Sequence, residues 1–438
     1  MTRLRHSRSA GPQLCALCAR PASANLLAEA GWIDPEVERR VARAHPGWTR
    51  HDGGCPACVQ EALLALLLEH GDAALHAGVQ SVWPLDAEAA FGVLPTPLRL
   101  HADPRFMGRG VTLAVVDAGF FPHPDLIGPP NRIRAWVDAG RDRVETRGFG
   151  GCDAPVWPGW NNRDAAQWHG LMTSSVVAGN GAMSHGLYRG MAPEAEVVLV
   201  QVRNDEGRIT NETIARGLHW LLANGPALGV GVLNLSLGGD PVSPLAGNPV
   251  DSAVGALVEQ GAVVVVAAGN DGERRLVPPG TAPAALTIGG LDDRNTFDHA
   301  DRALWHSNYG ETVAGASKPE LVAPSLWVVA PLLPHTTVAL EAADLFSRRA
   351  RGERSGEGRL AALKLVTPHY QHVEGTSFAA PLTAGVVACM REANPSMSPR
   401  RVRECLIGSA QLVPGAPTER QGAGVLHAGH AVRLALGE

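Results

Sequence analysis

The chain has 438 residues, of which 45% are hydrophobic and 18% are charged. This length exceeds what a single hydrophobic core usually fills, so we expect a globular protein with more than one structural unit. The net charge of −5 is mild for the length, which disfavours nucleic acid or an anionic membrane as the main partner.

The N-terminal segment carries no recognisable targeting signal. Residues 1–13 are basic and polar, and no apolar core of a signal peptide follows them. The longest apolar runs, such as the eight residues 261–268, do not exceed about ten residues and are too short to span a bilayer. We therefore expect a cytoplasmic protein with no membrane partner.

Four of the seven cysteines form two Cys-x-x-Cys pairs, Cys15 with Cys18 and Cys55 with Cys58, separated by 36 residues. Each pair can place two thiolates on one side of a tetrahedral ion, and together they supply the four sulfur ligands of a structural zinc site. Disulfides are disfavoured in a reducing cytosol, and iron or another thiophilic metal is the remaining alternative. The sequence thus predicts a zinc-binding module over residues 1–78.

The module is expected to contain a helix that begins at Pro35, with Asp34 as its cap. Residues 79–100, which include three prolines, read as a connector. Residues 101–438 form the second unit.

In this second unit, short apolar runs alternate with helical patterns, which predicts parallel strands with helices on both faces of the sheet. The run over residues 111–116 ends in Asp117, and the run over residues 262–268 is followed by Gly269 and Asn270. Since ligands bind at the carboxyl ends of such strands, both polar side chains are expected at that edge. Taken alone, each is also a common turn or capping residue.

Two further polar residues lie at the starts of predicted helices. His169 opens a segment of small and apolar residues, whose close packing favours a site over a purely structural histidine. Ser377 lies in Gly-Thr-Ser-Phe-Ala-Ala-Pro, residues 375–381, where the helix N-terminus stabilises negative charge. The plain alternative is a turn that only caps a core helix.

A serine nucleophile needs a base and a third group that orients the base, and an amide can donate to the oxyanion that forms. The sequence supplies these groups as Asp117-Ala-Gly, His169-Gly-Leu, Ala-Ala-Gly-Asn270 and Gly-Thr-Ser377-Phe-Ala-Ala-Pro, in that order. This set resembles the subtilisin-like serine proteases, the subtilase family, over roughly residues 97–438. One departure is Leu171, which replaces the usual threonine and concerns the packing beneath His169.

The resemblance implies that Ser377 is the nucleophile, His169 the general base and acid, and Asp117 the group that orients His169. Asn270 and the Ser377 N–H would form the oxyanion hole. Residues 233–239, Leu-Asn-Leu-Ser-Leu-Gly-Gly, resemble the strand beside the first substrate pocket, which nominates Ser236, Leu237 and Gly238 as substrate-binding. Residues 318–324 resemble the segment that precedes the nucleophile in these enzymes.

The expected architecture is an α/β fold with a doubly wound, mostly parallel, subtilisin-like sheet, preceded by the small zinc-stapled helical module. Two insertions interrupt the pattern, near residues 139–167 and 334–368. The first is expected to rim the substrate cleft. Within the second, the arginine-rich residues 348–359 are expected to form a surface loop.

The predicted function is that of a serine endopeptidase acting on proteins or peptides through an acyl-enzyme. The alternative is a catalytically silent, protease-like protein that acts through its zinc module, while an esterase would share the same machinery. The module either recruits a protein partner or a substrate, or it covers the active site and is cut off within the connector. Calcium is left open, because no EF-hand-like acidic loop occurs and the calcium sites of subtilases are irregular.

Overall fold

The computed structural model describes residues 13–19, 21–22, 35–52, 54, 58, 62, 93–128, 130–142, 144–148, 166–184, 186–241, 247–296, 302–334, 336–353 and 356–438. Its strands are β1 Gln13–Leu14, β2 Pro21–Ala22, β3 Thr112–Asp117, β4 Ile133–Asp138, β5 Glu145–Gly148, β6 Glu196–Gln201, β7 Val230–Leu235, β8 Val263–Ala267, β9 Leu286–Asp292, β10 Ala303–Leu304, β11 Gly310–Glu311, β12 Ser317–Lys318, β13 Leu321–Pro324, β14 Val328–Pro331, β15 Leu365–Thr367 and β16 Tyr370–Val373. Its α-helices are α1 Pro35–Ala44, α2 Thr96–Arg99, α3 Pro124–Ile127, α4 Gln167–Ala178, α5 Asn211–Asn224, α6 Pro249–Glu259, α7 Thr337–Ala350, α8 Glu357–Ala362, α9 Thr376–Ala393, α10 Pro399–Ser409, α11 Thr418–Gln421 and α12 Ala428–Leu436. Of the helices described, none is long and apolar enough to cross a bilayer.

A nine-stranded sheet, ordered β10-β9-β8-β7-β3-β6-β4-β5 with β13 also paired to β9, forms the centre of the chain. The pairings among β4, β6, β3, β7, β8, β9 and β13 are parallel, whereas β5 and β10 pair antiparallel to β4 and β9. The central strands are nearly continuous apolar runs, as strands buried on both faces require. The predicted doubly wound, mostly parallel α/β fold is confirmed.

Alternation along each strand builds two separate cores. Leu113 and Val115 of β3 belong to the core that contains residues of α4, α9, α10 and α12. Ala114 and Val116 belong to the core that contains residues of α5 and α6. Because successive side chains point to opposite faces of a sheet, one six-residue strand anchors helices on both sides.

The expectation of a surface loop over residues 348–359 is wrong at both ends of that range, which lie in α7 and α8. The Thr336 hydroxyl caps α7 by accepting a backbone N–H. Ala342 and Leu345 of α7 and Leu360 of α8 are buried in one small apolar cluster. Arg348, Arg351 and Arg359 are exposed on this packed helix pair, so their charge did not indicate a loop.

The cysteine-bearing part of the N-terminal module packs against the edge of the sheet opposite Asp117. Cys15 contacts Met107, which lies just before the N-terminal end of β3, while Asp117 ends that strand. The Glu392 carboxylate, near the C-terminal end of α9, accepts the N–H of Met107 at 2.6 Å. Ser377 lies at the other end of this 18-residue helix, which at 1.5 Å per residue is about 27 Å long.

Within that module, α1 begins at Pro35 as expected. Asp34, Cys55 and most of the insertion near 139–167 lie outside the described residues. The cap by Asp34, the metal ligand Cys55 and the position of the insertion at the rim of the substrate cleft therefore stay predictions.

Candidate active site

Strand β3 and helix α4 bring Asp117 and His169 into contact. Asp117 is the last residue of β3, and His169 is the third residue of α4. The His169 Nδ1 atom lies 2.8 Å from Asp117 Oδ1 and 3.0 Å from Oδ2. Asp117 is 1% exposed and also accepts hydrogen bonds from Ala118 N at 2.7 Å and from the Thr173 hydroxyl at 2.8 Å. The buried carboxylate is therefore well supplied with donors, as a buried charge must be.

The environment of His169 favours its charged form. Burial lowers the pKa of His169, but the negative charge and hydrogen bond of Asp117 raise it by more, and the net shift is upward. The side chain is 22% exposed, so one edge of the ring reaches the surface. With Nδ1 bound to Asp117, Nε2 is the atom that can exchange a proton with a neighbouring group.

Ser377 is the second residue of α9 and is half-buried. The preceding Gly375 has φ +130°, a backbone conformation that favours glycine, and its N–H donates to the Ser325 carbonyl at 2.9 Å. The Phe378 ring lies 6.1 Å, centroid to centroid, from the ring of His169, so the start of α9 lies beside α4. The Ser377 hydroxyl is directed to the Ser236 carbonyl at 3.4 Å, and rotation about one single bond redirects it.

Asn270 follows β8 and has its amide oriented by Thr376. Its Oδ1 accepts the Thr376 N–H at 3.0 Å and the Thr376 hydroxyl at 2.8 Å. The N–H of Gly269 donates to Thr376 Oγ1 at 3.1 Å, which leaves the hydroxyl proton for Asn270. The amide NH₂ of the exposed Asn270 is consequently the end presented to a ligand beside the N-terminus of α9.

Ser236, predicted to bind substrate, has its side chain inside the protein. It is 2% exposed, and its hydroxyl donates to the Ser377 carbonyl at 2.8 Å while accepting from Asn234 Nδ2 at 3.0 Å. The side chain thus holds the backbone at Ser377, and only the Ser236 carbonyl is directed to the Ser377 hydroxyl. Leu237 is half-buried and Gly238 is exposed, so these two residues form the surface next to it.

Sequence reasoning missed three residues of this site: Thr173, Asn234 and Thr376. A signal existed for two of them. Thr173 lies four residues after His169 and hence on the same helical face, and Asn234 lies two residues before Ser236 on one strand face. The role of Thr376 depends on a contact with Asn270 across 106 positions, which no local pattern reports.

Leu171, the departure from the family pattern, is fully buried and packs with Phe121 and Leu333. Apolar contacts therefore occupy the position beneath His169 where a polar threonine was expected.

The Sγ atoms of Cys15, Cys18 and Cys58 lie within 4.8 Å of one another. Cys15 Sγ is 4.0 Å from Cys58 Sγ, close to the edge of about 3.8 Å expected for a zinc tetrahedron with Zn–S bonds of about 2.3 Å. The Leu17 N–H donates to Cys15 Sγ at 3.4 Å, which favours a thiolate. These donors suit a thiophilic metal ion.

Residues 108–424 match the Subtilase family. The serine protease AprX of Bacillus subtilis (strain 168) is 31% identical over 333 residues, which span 74% of this chain and 66% of that protein. Subtilisin BL of Lederbergia lenta is 29% identical over 327 residues, spanning 74% of this chain and 92% of that protein.

Among solved structures, a protease from Pseudoalteromonas arctica is similar with a TM-score of 0.53 and 25% identity, over 78% of this chain and 94% of that one. The family match covers all four motifs and the strands that carry them. The chain therefore belongs to the subtilase family of serine proteases.

Proposed function

We propose that the chain is a serine endopeptidase in which Ser377 is the nucleophile, His169 the general base and acid, and Asp117 the group that orients His169. The observation that carries the proposal is the contact of 2.8 Å between His169 Nδ1 and the buried carboxylate of Asp117. Phe378 follows Ser377 in α9, and its ring lies 6.1 Å, centroid to centroid, from the ring of His169. The start of α9, with Ser377, therefore lies beside the imidazole.

In the first step the Ser377 Oγ forms a bond to the carbonyl carbon of the peptide while its proton passes to His169 Nε2. The carbonyl electron pair moves to oxygen, and the resulting anion accepts hydrogen bonds from the Asn270 amide and the Ser377 N–H. When the tetrahedral intermediate collapses, the C–N bond breaks and the proton on His169 goes to the leaving amine. In the second half of the reaction, water gives a proton to His169 Nε2 as its oxygen bonds to the acyl carbon. The bond from that carbon to Ser377 Oγ then breaks, Ser377 takes the proton back from His169, and the carboxylic acid product leaves.

Throughout these steps, Asp117 stays ionised and stabilises the imidazolium that forms. Burial lowers the pKa of His169, but Asp117 raises it by more, and this net rise is what stabilisation of the imidazolium by Asp117 would produce.

A fluorophosphonate probe tests the nucleophile. We expect covalent labelling of the wild type and none of Ser377→Ala, while Ser174→Ala, which removes a buried hydroxyl inside α4, labels like the wild type. Turnover of peptide amides separates an endopeptidase from an esterase, which would cleave esters but not amides. Labelling that persists in Ser377→Ala would show that another residue is the nucleophile. A wild type that is not labelled would favour the alternative, a catalytically silent protease-like protein acting through its N-terminal module.

We further infer that Cys15, Cys18, Cys55 and Cys58 bind one structural zinc ion. The supporting observation is that the three described sulfur atoms lie within 4.8 Å of one another, with 4.0 Å between Cys15 Sγ and Cys58 Sγ, close to a tetrahedral edge. Four thiolates leave no open position for a substrate, so the ion would act on folding and not on hydrolysis. Metal analysis should find one zinc per chain, and Cys58→Ser should lose most of it.

A thiolate metal site suits a reducing compartment, and the cytoplasm is the proposed location. Proteins or peptides are the proposed substrates. The N-terminal module is a candidate site for a protein partner, because its cysteine cluster lies at the edge of the sheet opposite Asp117.

A further inference from the structure

We infer that Thr173 is a positioning residue for the reaction: its buried hydroxyl holds the Asp117 carboxylate in the orientation that serves His169. The inference rests on the proposed triad, in which Asp117 orients the base.

The geometry of the hydroxyl points to the carboxylate. Thr173 lies one turn after His169 on α4, so both side chains project from one face of the helix. Its Oγ1 is 2.8 Å from Asp117 Oδ2 and 3.3 Å from the Gly170 carbonyl oxygen. A hydroxyl has a single proton, and the shorter bond to an ionised acceptor takes it. Thr173 is 0% exposed, so water does not replace this donor.

The two oxygens of Asp117 are held separately. The Ala118 N–H donates to Oδ1 at 2.7 Å, and Thr173 donates to Oδ2. His169 Nδ1 then lies within 3.0 Å of both oxygens. The carboxylate cannot rotate about its Cβ–Cγ bond without breaking one of these contacts, so the imidazole has a fixed partner.

The neighbouring Ser174 shows what a buried hydroxyl ordinarily does within a helix. Its Oγ lies 2.6 Å from the Gly170 carbonyl and 3.0 Å from the Leu171 carbonyl, both in the same helix. Thr173 instead directs its proton out of the helix to β3. The two residues are equally buried, which makes Ser174→Ala a matched control for loss of a hydroxyl.

Three elements surround the pair: β3 contributes Asp117, α4 contributes His169, and α9 contributes the uncharged Ser377 and Phe378. In the part of the chain that the structure describes, the charge acting on His169 is that of Asp117. The hydrogen bond from Thr173 stabilises the negative charge of Asp117 and so weakens its attraction for the imidazolium. Its removal should therefore strengthen the stabilisation of the imidazolium as well as loosen the carboxylate.

The test is the pH dependence of kcat/KM for a peptide amide in the wild type, Thr173→Val, Thr173→Ser and Ser174→Ala. Hydrolysis needs a neutral His169, so activity falls as the pH falls through the pKa of that group. In Thr173→Val we expect this acid limb to move to higher pH by about 0.3–1 unit, since one charge-assisted hydrogen bond is lost. The plateau should fall roughly tenfold as the orientation loosens. Thr173→Ser and Ser174→Ala should keep the wild-type limb.

An acid limb of Thr173→Val that coincides with the wild type would overturn the inference, as would an equal shift in Thr173→Ser. If Thr173→Val does not fold, Thr173→Cys takes its place, because a thiol is a weak donor of similar shape and should shift the limb in the same direction. A wild type that the fluorophosphonate probe does not label at Ser377 would refute the proposed triad itself. That outcome is measured separately from the pH profiles, so it can be told apart from a failure of the Thr173 inference.

Discussion

At the residue scale, each polar group of the site is held by a second polar group. Asn270 accepts two hydrogen bonds from Thr376, Ser236 supports the Ser377 carbonyl, and Thr173 supports Asp117. A catalytic group loses rotational freedom in this way before substrate arrives, which lowers the reorganisation needed in the transition state.

Asn270→Ala tests the oxyanion role. We expect kcat to fall roughly 10²–10³-fold, the range known for loss of one oxyanion donor in a subtilisin, with KM changed little. Thr376→Val removes the orienting hydroxyl but keeps the amide donor, so its loss in kcat should be smaller. A kcat of Asn270→Ala within a few-fold of the wild type would remove this residue from the oxyanion hole.

At the element scale, the site depends on how closely α9 approaches the segment that follows α4. A Cβ placed on Gly385 would lie 2.4 Å from the Cβ of the buried Met191. Glycine at this position lets α9, whose second residue is Ser377, pack close enough to meet the elements that carry His169 and Asp117. The helix is buried along most of its length because it runs between the sheet and α12.

Gly385→Ala should therefore lower the free energy of unfolding by about 1–3 kcal/mol through overpacking. Gly255→Ala is the matched control: Gly255 also lies inside a helix, α6, but a Cβ there meets nothing within 4 Å. That change should raise stability by about 0.5–1 kcal/mol, because alanine favours the helix. Thermal unfolding of both variants provides the measurement, and shifts of the same sign would contradict the packing argument.

At the scale of the whole molecule, the N-terminal module is packed onto the protease unit. Trp48 and Val41 share a buried cluster with Leu98 of the connector and with Tyr188 and other residues of the protease unit. A metal that binds only the folded module should therefore stabilise both units together.

We expect a strong zinc chelator to lower the unfolding temperature of the entire chain in one transition. At temperatures where the chain stays folded, Ser377 labelling should be unchanged, since the cysteine cluster and Ser377 lie near opposite ends of α9. Cys58→Ser should show the lower unfolding temperature without chelator and should respond little to it. Two independent unfolding transitions, or loss of labelling in the folded protein, would count against this coupling.

Much of this protein is determined by its sequence alone. Apolar runs such as that of β3 specify buried parallel strands, glycine and small residues specify the turn before Ser377, and the family motifs nominate Asp117, His169 and Asn270. These features depend on periodicity, chain stiffness and residue chemistry over a few neighbouring positions. The prediction of a loop over residues 348–359 rested on their charge and was wrong at both ends of the range. Burial of the apolar side of α7 stabilises the helix in spite of that charge.

Only the tertiary structure decided which groups hold the site. The contact of Thr173 with Asp117 spans 56 positions, and that of Ser236 with Ser377 spans 141. The location of the cysteine cluster at the edge of the sheet remote from Asp117 likewise depends on contacts between distant segments. Such contacts arise from the packing of several elements at once, and the physical information that specifies them is spread over the whole chain.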